Sequence, residues 1–227
     1  MVHLMRLEWK KVHFWHYIFI SVAAIILGMF FVFVGLNDTS DSTYTFESSF
    51  RAAQLFFAFA YVIFFAVLVS ALVISEYNNK TILLMFTYPL DRKKLIVSKL
   101  LIITLFMGIS LLLGYLFCAL FIVEVDKQLD LVAGDFTVDV LKNWVYAALS
   151  STIVFCCLGF WSFAVGMVKK SVAATIVSSV IFIYLRQIVI AASETYQENI
   201  GEVIAALVIT FVVLRYVFAK KVMQIDS

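Results

Sequence analysis

The side chains able to do chemistry are few, and their placement argues against catalysis. Three histidines, His3, His13 and His16, crowd the N-terminal segment. Imidazoles can bind a metal, but this set sits among bulky apolar and basic residues, so it reads as a group beside lipid headgroups. Cys118, Cys156 and Cys157 lie inside apolar stretches with no CxxC spacing and no adjacent histidine or carboxylate. They read as small packing residues. No GxxxxGK[ST] loop is present to cradle a nucleotide phosphate, and HExxH, GxSxG and GxGxxG are absent as well. The expectation is therefore a chain with no catalytic, cofactor-binding or metal site of its own, and not an enzyme. One charge is out of the ordinary. Arg186 lies about 15 residues into an apolar block, where a cation is costly and is kept for a task or snorkels to an interface. It is a candidate residue of a transport path or an anchor, and both readings stand.

The elements that must carry these residues follow from composition. Of 227 residues, 64% are hydrophobic and 14% charged, against about 45–50% apolar and about 25% charged in a soluble domain. The apolar residues fall into blocks at 17–36, 52–74, 95–123, 144–168, 171–190 and 200–219. Each approaches the roughly 20 residues that a helix needs to cross a ~30 Å hydrocarbon layer. The fold class expected is an all-α integral membrane protein with six transmembrane helices. The first block lacks a small-residue cleavage pattern, so it reads as a retained span rather than a signal peptide. Ahead of it, residues 4–16 mix Leu4, Leu7, Trp9 and Val12 with Arg6, Lys10 and Lys11, the make-up of an amphipathic interfacial helix. The longest polar connection, about 20 residues, is too short for a soluble domain, so one membrane domain is expected over 1–227.

Charge gives the orientation. With the N-terminus inside, only Arg51, Lys127, Lys142 and Arg186 of the 17 lysines and arginines fall outside. Lys and Arg in short loops resist translocation, so the expectation is N-in, C-in. The acids lie mostly on the outer side, which makes that face negative: a solvated loop surface, or an attraction for cationic cargo.

The inner connection, 75–94, is the most distinctive stretch. It opens on Glu76 at the end of the second span, runs through Thr81 and an apolar segment to Pro89, and closes on Asp91-Arg92-Lys93-Lys94. Helical spacing would place Ile82, Met85 and Phe86 on one side as an apolar knob. Such a knob suits the groove of a partner, or dips into lipid as an interfacial turn.

Glu76, Thr81-Ile82, Pro89, Arg92 and Lys99, in this order between a second and a long third span, resemble the membrane permeases of type-2 ABC exporters. The resemblance implies that 4–16 is an elbow helix, with Arg6, Glu8, Trp9, Lys10 and Lys11 at the membrane surface. It also implies that the connection holds a coupling helix seated in a separate cytosolic ATPase subunit, through Glu76, Tyr77, Thr81, Ile82, Met85, Phe86, Pro89 and Arg92. ATP and Mg would be bound by that partner, present in two copies, and a second permease, identical or related, would complete a dimeric transporter in a bacterial plasma membrane. Small permeases of this kind are similar to those of peptide export and of lantibiotic and bacitracin resistance, which makes a peptide or amphipathic antimicrobial the expected cargo. Two departures stand out. Lys80 occupies the place where many members have glycine, and 191–199 is a short link without a re-entrant helix pair. Two other classes remain: a membrane scaffold or sensor that recruits a cytosolic partner, and an ion-coupled carrier in which Arg186 or Glu202 is essential.

Overall fold

The computed structural model describes residues 14–37, 45–74, 92–129, 136–192 and 200–217. These residues form six α-helices: α1 (Phe14–Asn37), α2 (Phe46–Val69), α3 (Arg92–Leu129), α4 (Val138–Lys169), α5 (Val172–Ala192) and α6 (Ile200–Val217). A π-helical turn, Ser70–Ile74, continues α2. Five stretches are long and apolar enough to cross a membrane: Trp15–Leu36, Phe46–Ile74, Ile96–Leu129, Val138–Lys169 and Ile200–Val217. The apolar stretch described in α5 is shorter, Val172–Ile188.

Several helices exceed the apolar blocks that announce them. The block at 52–74 lies in a helix that starts at Phe46, and the block at 144–168 in one that starts at Val138. Local capping explains both starts. The Thr45 side chain accepts from the Ser48 backbone N–H (3.4 Å) while Ser48 Oγ accepts from the Thr45 N–H (3.0 Å), a reciprocal arrangement that satisfies donors a helix start leaves open. Thr137 caps α4 with the one-way bond alone, its side chain accepting from the Val140 N–H. Helix boundaries are thus set by hydrogen bonding, whereas apolar blocks mark only the part suited to lipid. Phe14–His16, grouped by sequence with the elbow, are continuous with α1.

α4 is the centre of the bundle, packing against α2, α3, α5 and α6, while α2 packs against α1, α3, α4 and α5. α1 and α6 are peripheral and turn Phe19, Phe30, Ile204 and Phe211 outward, as helices bathed in hydrocarbon can. An aromatic column runs down the middle: Phe50 stacks on Trp144 at 4.4 Å, Trp144 meets Tyr115 edge-on at 5.4 Å, and Tyr115 meets Phe57 at 5.5 Å. Gly159 lets Phe65 lie directly against the backbone of α4, where any Cβ would overlap the ring.

Several hydroxyls in the apolar layer are satisfied locally. Ser151, Thr152, Ser162 and Thr210 each donate to the carbonyl four residues earlier, so each hydroxyl avoids standing bare in lipid. Others join helices. The Ser21, Tyr61 and Ser110 hydroxyls meet where α1, α2 and α3 cross, and Trp161 Nε1 donates to Thr210 Oγ1 at 2.8 Å between α4 and α6.

Candidate functional site

The connection between α2 and α3 carries most of the residues picked out by sequence. Glu76, Tyr77, Thr81, Ile82, Met85, Phe86 and Pro89 lie outside the described residues, as do Arg6, Glu8, Trp9, Lys10 and Lys11 of the N-terminal segment. Arg92 is the first residue of α3. The two points at which the connection joins the bundle are described, and they are built with care.

On the α2 side the π turn closes the helix. A π turn replaces i→i+4 hydrogen bonding with i→i+5, which widens the helix and shifts its register; such turns recur at functional positions. Ile74, its last residue, is fully buried. It lies so close to Gly166 of α4 that a Cβ there would overlap its side chain, and the same Cβ would overlap Thr175 of α5. Gly166 therefore permits a three-way approach of the π turn, α4 and α5. The sharp turn from α4 to α5 stands beside it, with Lys170 in the left-handed region (φ 50°, ψ 38°) and the Lys170 and Ser171 amides both directed at the Gly166 carbonyl.

On the α3 side, Lys99 reaches across. Its side chain is 5% exposed, and Nζ donates to the Leu72 carbonyl at 3.2 Å. A lysine buried in an apolar environment needs such a partner to offset lost hydration. α3, α4 and α5 thus all converge on one five-residue turn. Sequence singled out Lys99 only as part of a motif; the π turn, written in the apolar and small residues SALVI, carries no local signal of its presence.

Arg186 stands apart from this junction, in the C-terminal half of α5. Its Nε donates to Glu202 Oε1 at 2.8 Å, and its guanidinium stands 5.0 Å from the Phe155 ring centre. The ion pair ties α5 to α6, and the cation–π contact ties both to α4. The two side chains are 10% and 31% exposed. Glu202, named by sequence only as a residue that an ion-coupled carrier would need, is thus the partner of Arg186. Phe155 also walls a small apolar cavity with Tyr61, Phe65, Met107, Leu111 and Cys156. Among the described residues no group of histidine, cysteine and carboxylate side chains is arranged to hold a metal.

Long apolar helices, outward-facing aliphatic surfaces and internally satisfied hydroxyls define a multi-pass helical membrane protein. The chain belongs to a family described as ABC-2 family transporter protein, which matches residues 4–186. It is 32% identical over 190 residues, 81% of this chain and 82% of the relative, to the uncharacterized protein YcbO of Bacillus subtilis (strain 168). No solved structure matches the chain. Membership makes it a transmembrane subunit of an ABC transporter: the membrane component, working with a partner subunit that hydrolyses ATP. The matched region contains both the 75–99 motif and the elements that form the π-turn junction, and it stops at Arg186, before α6.

Proposed function

We propose that the chain is the permease half of an ATP-driven exporter, with six spans in an N-in, C-in arrangement in a bacterial plasma membrane. The connection 75–94 is its docking element for the ATPase. In this reading Ile82, Met85 and Phe86 fill an apolar cleft of that subunit, and Glu76 and Arg92 supply charged contacts at its rim. Tyr77 and Thr81 open the docking turn, and Pro89 ends it. Arg6, Glu8, Trp9, Lys10 and Lys11 hold the elbow at the headgroups. ATP and Mg belong to the partner. Binding of ATP to one state of a two-state assembly shifts the permease pair between conformations. The cargo in this reading is a peptide or amphipathic antimicrobial, which the acidic outer side would attract.

One observation carries this reading: the segment with the family's distinctive residues is rooted, at both of its joins, in a junction shared by α3, α4 and α5. Force applied to that segment has a short path into most of the bundle. The test is to purify the chain in mild detergent from its native membrane and measure bound ATPase activity. Glu76→Ala, or Ala at Ile82, Met85 and Phe86 together, should release the ATPase from a folded permease. Retained co-purification would refute the docking assignment, and a partner that stays bound without cargo-stimulated turnover would favour the scaffold.

For Arg186 the ion pair with Glu202 favours a second reading. A cation already occupied by a carboxylate at 2.8 Å serves to join α5 to α6; as a path residue it would first have to exchange Glu202 for an anionic group of the cargo.

A further inference from the structure

The Lys99 contact joins the two ends of one connection to each other. Leu72 lies in the π turn that precedes the connection, and Lys99 lies in α3, two turns after it re-enters the bundle. A flexible link would let α2 and α3 respond separately to a pull on 75–91. A buried side chain anchored on a backbone carbonyl makes them respond together. The junction also has a second contact in series, since Ile74 of the same turn sits against Gly166 of α4 and Thr175 of α5 with no room for even a methyl group at position 166. Close-packed contacts of this kind transmit displacement rather than absorb it.

We infer that Lys99 is a positioning residue that locks the Ser70–Ile74 turn to α3, so that a displacement entering through 75–91 moves the adjoining ends of α2 and α3 as one body and passes through Ile74 to α4 and α5. The π turn is the natural place for such a lock, because its altered hydrogen-bond register leaves room for a side chain to compete for a carbonyl. The inference rests on the proposed role of 75–94 as the ATPase docking element, and its test keeps the two apart.

The test uses the full transporter, permease with its co-purified ATPase in lipid nanodiscs, with and without ATP and vanadate, read by hydrogen–deuterium exchange. In the wild type, nucleotide trapping should change exchange both within 75–91 and at the far ends of α2 and α3, residues 45–50 and 122–129. Lys99→Met, which keeps the length and apolar stem but removes the donor, should retain ATP hydrolysis and the change within 75–91 while losing the change at the far ends. Lys99→Arg, which restores a donor, should recover it; a purely structural defect would not leave the near response intact. Far-end changes in Lys99→Met equal to those of wild type would overturn the lock and leave the docking role standing. No change within 75–91 of the wild type would overturn both. Should Lys99→Met fail to accumulate in membranes, acetylation of the wild-type complex decides. Lys99 should resist the reagent in both nucleotide states while the exposed Lys169 and Lys170 react, and modification of Lys99 in either state would show the lock open and overturn the inference.

Discussion

Arg186 and Glu202 form an ionic contact in a layer where charge is costly, and the value of such a contact lies mostly in what its rupture leaves behind. Arg186→Met should destabilise the detergent-solubilised protein by about 3 kcal/mol, since it strands Glu202 beside α5. The double variant Arg186→Met/Glu202→Met should recover most of that loss. A thermal-denaturation cycle over the four proteins measures the coupling, and additive effects would remove the ion pair as a link between α5 and α6. Gly159 offers a second test at this scale, because a Cβ there would overlap the Phe65 ring. Gly159→Ala should cost about 1–3 kcal/mol through displacement of that ring. Gly35→Ala meets nothing within 4 Å and should be neutral or stabilising by up to about 1 kcal/mol. Equal melting temperatures for the two variants would mean that α2 and α4 do not approach as closely as the Phe65 contact requires. Of these residues, Arg186 could be singled out by sequence, because one arginine deep in an apolar block needs explanation. Its pairing with Glu202 could not, because the connection that brings α6 back to α5 has no pattern that specifies register.

Among the helices, α4 packs against four others, and its attachment to peripheral α6 includes the Trp161–Thr210 hydrogen bond. Hydrogen bonds between transmembrane helices contribute modestly, because the separated helices find other partners. Thr210→Val, nearly isosteric, should therefore cost about 0.6 kcal/mol and no more than roughly 1.7 kcal/mol in steric-trapping or denaturant measurements. A larger loss would make this bond the principal tie of α6. The helices themselves were legible as apolar blocks, but their ends were not. Thr45 and Thr137 start α2 and α4 six residues ahead of the blocks, because a capping hydroxyl can open a helix in polar sequence. The π turn was invisible for a related reason: Ser70–Ile74 suits an α-helix equally well, and its wider register shows itself only in the company of Ile74, Gly166 and Lys99.

At the scale of the whole molecule, the asymmetry of Lys and Arg predicts which surfaces face the cytoplasm. Single cysteines introduced in 124–143 should react with a membrane-impermeant maleimide in intact cells, and those in 78–92 only after permeabilisation. The reverse pattern would invert the proposed arrangement. The buried native Cys118 and Cys157 should give little background. Sequence by itself determined that this is a helical membrane protein, because span length and apolar composition are set by bilayer thickness and need no tertiary knowledge. A motif around 75–99 was enough to indicate the transporter family. Tertiary structure alone decided that α4 is the hub, that Arg186 is neutralised by Glu202 across 16 residues of chain, and that Lys99 anchors the π turn. The physical reason is common to all three. In a bilayer, hydrophobicity places helices in the membrane but does not choose their neighbours, which are selected by close packing at small residues and by a few polar pairs that no single helix contains.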